Sequence, residues 1–248
     1  RKEPDEFSKQ LTHSGKDGSY FNEKPEFSPD GDKIAIFTDK SDYTEIVLIS
    51  ANDGEHLKRL VKAQRSGDLE SLHSYVSGIS FSPDGRGLAF VAKSDGQDAL
   101  FLYSLATDEI YKQKRVDYYN IVGPAWSPDG QKIAFAALDG HKRDLYVWNI
   151  ETDEVIQVTD DRFDDVDPSW LPNSRELIFT SDRPHPDNPA LDPEGHPYAR
   201  PGVLMPGDFD YGSYNLFRID IDVRLPDPID VGPGPNKVAK VSPDGDKI

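Results

Sequence analysis

The sequence predicts an all-β fold built from repeated four-stranded antiparallel sheets. The first observation is a Ser-Pro-Asp-Gly turn that recurs along the chain, together with an altered copy at 171–174. The second is that short runs of β-branched and aromatic residues flank each turn, with no helical periodicity competing with them. Recurrence of one turn between similar runs identifies a repeat protein. The four regular turns cover 28–31, 82–85, 127–130 and 242–245.

Each turn carries the residues that a β-hairpin requires. In the third copy, Ser127 opens the turn and Pro128 holds φ near about −65°. Asp129 can hydrogen-bond to the local backbone, and Gly130 supplies the positive φ that suits the twist of the flanking strands. The turn chemistry therefore joins a first strand to a second one.

Aromatic residues enter four of the five turns at the same repeat position. A bulky residue at one repeated position suits the space between stacked sheets, so all four are expected to be buried. Trp148, on a predicted third strand, is expected to be buried in the same way. The four residues are Phe27, Phe81, Trp126 and Trp170.

The repeat length predicts a β-propeller. After each turn come a second, a third and a fourth strand, which in the third repeat are expected at 133–136, 145–148 and 155–158. The prolines of successive turns lie 54, 45, 44 and 71 residues apart, so the basal unit has about 44 residues, the size of one blade. A lone four-stranded sheet cannot cover its apolar faces, whereas stacking sheets around an axis does so. A sandwich of hairpins is the alternative.

The repeats predict a single domain over 1–248, with four blades and the start of a fifth. The run Gln10-Leu11-Thr12 is similar to the outermost strand of a further repeat. The chain begins at Arg1 and ends one residue into a strand, so both ends are interpreted as truncated. The approximate blades are 24–64, 77–116, 121–159, 166–233 and 237–248. Residues 184–213 form an insertion in the fourth blade.

Composition argues against several classes of function. The chain has 28 basic and 45 acidic residues, and its net charge of −17 disfavours nucleic acid or an anionic membrane surface as the main partner. No run approaches the roughly 20 apolar residues of a membrane span, so direct membrane insertion is not expected. Cysteine is absent, which removes disulfides, thiol nucleophiles and thiolate metal sites.

The residues show no catalytic constellation, so the chain itself is predicted not to be an enzyme. It has no Gly-x-Ser-x-Gly elbow, and its six histidines have no metal-ligand spacing. The acidic run at 160–167 suggests calcium, but it lacks the glycine and the final glutamate of an EF-hand loop. We therefore expect no cofactor. Solvated turn acids, paired with Arg162, are favoured over a calcium site.

The topology of a meander indicates which end of the blades binds partners. First–second and third–fourth connections share one end, whereas second–third and blade-to-blade connections share the other. The uniform turns occupy the first end, and the long, diverse connections occupy the second. Because variable loops on a rigid scaffold usually carry function, the second end is the expected binding surface.

Charged and aromatic residues of these long connections are the candidate partner-binding residues. The charged ones are expected to steer a partner and the aromatic ones to anchor it. The 184–213 insertion is interpreted as a lid or a binding arm, with an unstructured surface loop as the alternative. The candidates are Arg65, Asp68, Glu70, His73, Tyr118, Tyr119, Asp161, Arg162, Asp164, Asp165, Arg183, Tyr198, Arg200, Phe209 and Tyr211.

The repeat resembles the WD-like blade of the TolB family. The resemblance rests on Ser-Pro-Asp-Gly followed by Lys/Arg-x-Ile/Leu-Ala-Phe, on a third strand such as Leu145-Tyr146-Val147-Trp148, and on Gln157-Val158-Thr159. It covers 24–248 and implies a six-bladed propeller in the periplasm or another extracytoplasmic space. It also implies a protein partner, such as an envelope lipoprotein or a membrane protein.

The expected function is therefore a non-catalytic scaffold for protein–protein interaction in the cell envelope. Two departures from the family pattern are the Asn173-Ser174 pair, which replaces Asp-Gly, and the insertion that splits the fourth blade. Similar blades occur in tricorn-like and prolyl-oligopeptidase-like peptidases. The alternative is accordingly a substrate-gating propeller domain of a larger peptidase, with its catalytic module outside this chain.

Overall fold

The computed structural model describes most of the chain and shows it to be all-β. The described residues are 9–13, 15, 18–40, 43–63, 69–72, 78–183, 214–229, 239–242 and 244–248. They form strands and turns, and no helix occurs among them. No helix able to cross a membrane is found in this part of the chain. The backbone contacts divide the chain into two compact units, Arg1–Asp117 and Tyr118–Ile248.

The first unit contains two antiparallel sheets. The strands of the first sheet, paired in chain order, are β1 (Asn22–Phe27), β2 (Lys33–Thr38), β3 (Glu45–Ser50) and β4 (His56–Lys62). The strands of the second sheet are β5 (Ser71–Leu72), β6 (Ile79–Phe81), β7 (Gly87–Ser94), β8 (Gln97–Ser104) and β9 (Glu109–Arg115). Both β5 and β6 pair with β7, so together they occupy the first-strand position.

The second unit repeats this arrangement twice. The third sheet consists of β10 (Tyr119–Trp126), β11 (Lys132–Asp139), β12 (Lys142–Asn149) and β13 (Val155–Gln157). The fourth sheet consists of β14 (Asp165–Trp170), β15 (Glu176–Ser181), β16 (Asn215–Asp220) and β17 (Asp227–Ile229). Strands pair antiparallel in chain order in both sheets. The predicted all-β repeat of four-stranded meanders is confirmed.

The four regular turns share the predicted turn chemistry. Ser127 donates from Oγ to Asp129 Oδ1 at 2.5 Å and accepts from the Lys132 N–H at 2.9 Å. The Gly130 N–H closes the turn on the Ser127 carbonyl at 2.9 Å. In the altered fourth turn, the Ser174 N–H makes the equivalent bond to Leu171 O at 3.1 Å, with Ser174 at φ 54°. A serine therefore adopts the left-handed conformation that glycine adopts in the other copies.

Alternation along the strands builds one apolar layer inside each unit. In the second unit, Ala134 and Val147 of the third sheet face Leu177 and Phe179 of the fourth sheet. The first unit has the corresponding layer between its own two sheets. Because side chains alternate between the two faces of a strand, each sheet presents one such stripe to its neighbour within the unit.

The aromatic residue before the turn packs against the preceding sheet of the same unit. Phe81 and Trp170 are 7% and 6% exposed, and Trp170 Nε1 donates to Ala125 O at 3.0 Å. Trp148 is fully buried, as expected, and Trp126 is half-buried. The expectation for Phe27 is wrong, since Phe27 is 60% exposed. It lies on the first described sheet, and no earlier sheet precedes it among the residues described.

The predicted outer strand at 10–12 is not formed. Instead, Leu11 packs on the face of the first sheet that carries Ile36 and Val47. Its backbone closely approaches Gly54, where a Cβ would lie 2.1 Å from the Leu11 carbonyl oxygen. Lys9 Nζ donates to Asn52 O at 2.8 Å. The segment is therefore held by its contact with the sheet face and with the Ala51–Gly54 turn, and it adds no strand to the ladder.

Candidate functional site

In the second unit, the uniform turns and the long connections lie at opposite ends of the sheets. At one end, which we call the turn end, the Asp129 N–H donates to Ser174 Oγ at 2.9 Å, so the turns of successive sheets touch. At the other end, the loop end, the connection at 160–164 contacts Arg143 at the start of β12 and Arg183 after β15. The loop end therefore brings the charged side chains of this connection onto those of the neighbouring strands.

Arg183 is the centre of the loop end. Its Nη2 donates to Asp161 Oδ2 at 2.6 Å and to Asp165 Oδ2 and Oδ1 at 3.0 and 3.2 Å. The residue is 7% exposed, and its guanidinium carbon lies 5.0–5.5 Å from three aromatic ring centroids. A planar cation can stack on such rings while its edge pairs with carboxylates. The rings belong to Phe163, Phe179 and Phe217.

Asp165 is a fully buried acid at the start of β14. Burial raises its pKa to about 7, because desolvation outweighs the opposing attraction of Arg183 and the hydrogen bond from Ser181. The negative charge of Asp161 nearby raises the pKa further. Desolvation penalises the charged form of a carboxyl group, so the protonation of Asp165 changes near neutral pH.

A second ion pair connects the same connection to β12. Asp164 accepts from the Arg143 N–H at 2.7 Å and from Arg143 Nη1 at 3.0 Å, so both its oxygens hold the start of the third strand. The Asp164 N–H in turn donates to Asp182 Oδ1 at 2.7 Å. Burial raises the pKa of Asp182. These bonds fix the 160–164 connection against both sheets of the unit.

Lys142 bridges two further acids at the edge of this cluster. Its Nζ lies 3.5 Å from Asp144 Oδ2 and 3.2 Å from Asp160 Oδ1. Asp144 is fully buried and also accepts from Gln157 Nε2 at 3.2 Å. Burial raises the pKa of Asp144, and Lys142 opposes that rise. Asp160, by contrast, is largely exposed and turns its charge to solvent.

Two tyrosines at the start of the third sheet have opposite environments. The Tyr118 ring lies 4.3 Å from the ring of Tyr146, measured between centroids, and is tilted by 32°. Tyr119 is 71% exposed, and it is paired with Leu138 at the same end of the sheet as Lys142. The first ring therefore contributes to packing, whereas the second is free to contact a partner.

The structure brings together only part of the predicted set. Asp161, Asp164, Asp165 and Arg183 form the connected cluster described above. Glu70 lies in the first unit, where its Oε1 accepts from the Gly96 N–H at 3.2 Å. The predictions for Arg65, Asp68, His73, Tyr198, Arg200, Phe209 and Tyr211, and for the 184–213 insertion, lie outside the described residues.

The expected pairing of the loop acids with Arg162 is wrong. The Arg162 guanidinium carbon lies 5.0 Å from the centre of the Phe163 ring, and the acids pair with Arg143 and Arg183. Arg143 and Lys142 were not among the residues selected from the sequence. Both follow the connection between the second and third strands, which the topology of a meander places at the loop end. That position could have identified them.

The ion pairs of these acids also disfavour a metal ion at the loop end. Among the residues that the structure describes, no three His, Asp or Glu side chains are grouped so that they could hold a metal ion. Asp161 and Asp165 both contact the Arg183 guanidinium, and its positive charge repels a cation at the same oxygens. The cluster is built from ion pairs between side chains of this chain.

Comparison with known proteins shows what part of the chain is similar to. Residues 69–186 match the family model described as the TolB beta propeller domain. Among solved structures, the putative TolB from Agrobacterium tumefaciens superposes with a TM-score of 0.63 at 19% identity, over 90% of this chain and 71% of that one. TolB from Acinetobacter baumannii gives 0.60 at 17% identity, over 84% of this chain and 43% of that one.

The likeness extends to a peptidase. The tricorn protease superposes with a TM-score of 0.50 at 15% identity, over 82% of this chain and 18% of that chain. No curated protein sequence matches the chain. The chain spans less than half the length of the Acinetobacter TolB. At these identities, the solved structures establish a common fold.

Proposed function

We propose that this chain, in which residues 69–186 match the model of the TolB beta propeller domain, is a non-catalytic scaffold that binds other proteins in the cell envelope. Binding takes place at the loop end of the second unit, where the 160–164 connection meets Arg143 and Arg183. The partner is a lipoprotein or membrane protein of the envelope, and the location is extracytoplasmic, as it is for the family that the repeats resemble.

The observation that carries this proposal is the fixation of Arg183 between Asp161 and Asp165. A connection held by buried ion pairs and by stacking on aromatic rings is ordered before any partner arrives. Association then loses little conformational entropy in the loop, and pre-organisation of this kind strengthens binding. The exposed groups beside the cluster, Tyr119 and Asp160, are presented to a partner in defined positions.

The chemistry of the exposed groups suits a protein surface. Asp160 supplies a negative charge beside Lys142, and Arg143 is only half-buried, so both signs of charge reach solvent. Tyr119 supplies an aromatic side chain that can insert between partner residues. Aromatic anchors surrounded by charged groups are typical of protein–protein interfaces, where the charges contribute to orientation and association rate.

A capture experiment with two matched variants tests the proposal. The purified protein is immobilised and exposed to a detergent-solubilised envelope fraction, and bound proteins are identified by mass spectrometry. The double variant Tyr119→Ala with Asp160→Lys changes the loop end. We expect it to lose lipoproteins or membrane proteins that the wild type captures, because it removes the anchor and reverses the steering charge.

The control variant makes the same two kinds of substitution at the turn end. Leu225→Ala with Asp222→Lys also removes an exposed apolar side chain and reverses one charge. It is expected to capture the same proteins as the wild type. Equal capture by all three proteins, or loss in the turn-end variant alone, would contradict binding at the loop end.

A second candidate function follows from the fold likeness to the tricorn protease. In this alternative the propeller admits substrates to a peptidase module outside this chain. Sequencing the full reading frame distinguishes the two functions. A hydrolase module on the same polypeptide favours gating, whereas a short non-catalytic domain before Arg1 favours the scaffold.

A further inference from the structure

A cavity of about 350 Å³ lies on the first sheet, on the face that carries Ile36, Val47 and Ile49. The other face of this sheet forms the apolar layer with the second sheet, so the cavity is separate from the core of the unit. None of the residues described at the loop end lines it. Its volume is within the range of small-molecule sites, and we call Ile36, Val47 and Ile49 its floor.

The segment at 9–13 forms one wall of the cavity. Leu11 packs on the floor, and its carbonyl oxygen would lie 2.1 Å from a Cβ placed on Gly54. Lys9 Nζ donates to Asn52 O at 2.8 Å and holds the same segment. The wall is therefore fixed against the first sheet, and the cavity is formed before a ligand binds.

Charged side chains of opposite sign lie at the two ends of the cavity. Glu55 lines one end, immediately before β4, and Lys40 lines the other, two positions after β2. Both residues are exposed, and neither side chain has an ion pair or a hydrogen bond within the described part of the chain. Asp53 lies at the same end as Glu55 and accepts from its N–H at 3.1 Å. Glu55 and Lys40 can therefore each pair with a charged group of a ligand.

The ladder of the sheet sets the distance between the two ends. Ile34 of β2 is opposite Ile49, and Ile49 is opposite His56 at the acidic end. Thr38, four residues further along β2, precedes Lys40 at the basic end. A strand rises about 3.3 Å per residue, so the ends lie on the order of 13 Å apart. An extended tripeptide spans about 10 Å, and the long lysine and glutamate side chains can reach the remaining distance.

Two histidines, His13 and His56, also line the cavity. Both are exposed, and neither imidazole is hydrogen-bonded to another residue that the structure describes. An imidazole can donate from one ring nitrogen and accept at the other. A peptide group needs one acceptor and one donor. The lining therefore offers groups for a peptide backbone as well as for its two termini.

We propose that this cavity binds a short peptide with free termini, about three residues long and with small apolar side chains. Its amino group lies against Glu55 and Asp53, and its carboxylate lies against Lys40. Its peptide groups bond to the two histidines. Small side chains suit the floor, because the three residues of the floor are only 2–5% exposed and leave little apolar area to cover.

The two unpaired charges select this ligand. A simple amine pairs with Glu55 and leaves Lys40 without a counterion, and a simple carboxylate does the reverse. A neutral apolar molecule pairs with neither. A zwitterion of the right length places an opposite charge at each end, and attraction at both ends sets its orientation.

The test is a titration of the ¹⁵N-labelled full chain with trialanine, followed by amide chemical shifts. Acetylation of the amino terminus or amidation of the carboxyl terminus removes one charge. Each is expected to weaken binding at least about threefold, the effect of one exposed ion pair. We expect the shifts to change at the amides that surround the cavity, which are those of 11–13, 36–38, 47–49 and 53–56.

A charge variant and a matched control test the two ends of the site. Glu55→Gln with Lys40→Gln is expected to weaken the binding of trialanine at least about fivefold, because neither terminus then meets an opposite charge. Glu109→Gln with Lys93→Gln removes one acid and one base from the second sheet, outside the cavity. This control is expected to change binding less than about twofold.

Four results would overturn the proposal. They are undetectable binding of trialanine, equal binding of the peptide blocked at both termini, shifts confined to other sheets, and equal losses in the charge variant and the control. Tighter binding of butylamine or butyrate, which carry a single charge, would also contradict recognition of a zwitterion.

Discussion

Arg183 donates from one nitrogen to both carboxylate oxygens of Asp165, at 3.0 and 3.2 Å. The bond connects the residue that opens β14 with a residue two positions beyond β15, and both side chains are buried. Asp165 is also paired in the ladder with Ser181, at the end of β15. This one side-chain pair thus connects the first and second strands of the fourth sheet at the loop end.

Removing Arg183 is expected to destabilise the protein strongly. In Arg183→Met, measured above the pKa of about 7 at which the folded chain ionises Asp165, the buried carboxylate loses its counterion, and breaking a buried pair in this way costs about 3–5 kcal/mol. Urea unfolding followed by tryptophan fluorescence measures the loss. Arg162→Met, which changes an exposed arginine in the same connection, serves as the control and should cost less than about 0.5 kcal/mol. Similar losses in the two variants would contradict the role given to Arg183.

The stability of the protein is expected to depend on pH through Asp165. The unfolded chain ionises this group near the ordinary value of 3.8, whereas the folded chain holds its proton up to a pKa of about 7. Between these values the folded state binds more protons than the unfolded state. The contribution of Asp165 to the free energy of unfolding therefore falls as pH rises from about 4 to about 7, by an amount on the order of a few kcal/mol.

Asp165→Asn measures this contribution, because asparagine has the same shape and does not titrate. Urea unfolding of both proteins at several pH values gives the difference between them. Relative to the variant, the wild type should lose stability as pH increases through this window. Parallel pH profiles for the two proteins would show that Asp165 ionises in the folded state at its ordinary pKa.

Removing the aromatic residue before the turn should cost much more stability in the second repeat than in the first. Phe81→Ala removes a buried ring from the apolar layer of the first unit and is expected to cost about 3–5 kcal/mol. Phe27→Ala removes a ring that is mostly exposed, so a loss below about 1 kcal/mol is expected. Both values come from denaturant unfolding. An equal, large cost at Phe27 would mean that this ring is covered in solution.

The serine of the turn is expected to contribute to stability according to its burial. Ser127 is fully buried and hydrogen-bonds both Asp129 and the Lys132 N–H, so Ser127→Ala should cost about 1–3 kcal/mol. Ser242 makes equivalent bonds in an exposed turn. Ser242→Ala should therefore cost less than Ser127→Ala, as measured by the midpoint of thermal unfolding. A reversed order would contradict this explanation.

Calcium is expected to have no effect on stability. Four of the five acids of the 160–167 run form ion pairs with Lys142, Arg143 or Arg183. A ligand that binds the folded state raises the melting temperature, so addition of calcium chloride or of a chelator should leave the melting temperature unchanged. A rise with calcium that the chelator reverses would restore the calcium interpretation.

The sequence by itself determined the repeat. Pro-Asp-Gly chemistry and alternating apolar residues act over a few neighbours, and local rules predict them well. The strands of the third repeat are therefore where the pattern placed them, at Lys132–Asp139, Lys142–Asn149 and Val155–Gln157. The same local rules also separated the uniform turns from the long connections, and so directed attention to Asp161, Asp164 and Asp165.

Only the tertiary structure decided the partners of these acids. Asp164 pairs with Arg143 and Asp165 pairs with Arg183, across 21 and 18 positions of the chain, whereas the neighbouring Arg162 stacks on a ring. It also decided that Phe27 is exposed and that Leu11 lies on a sheet face. Pairings of this kind depend on which strands adjoin and which faces are covered. Those are long-range properties, and no local pattern of residues encodes them.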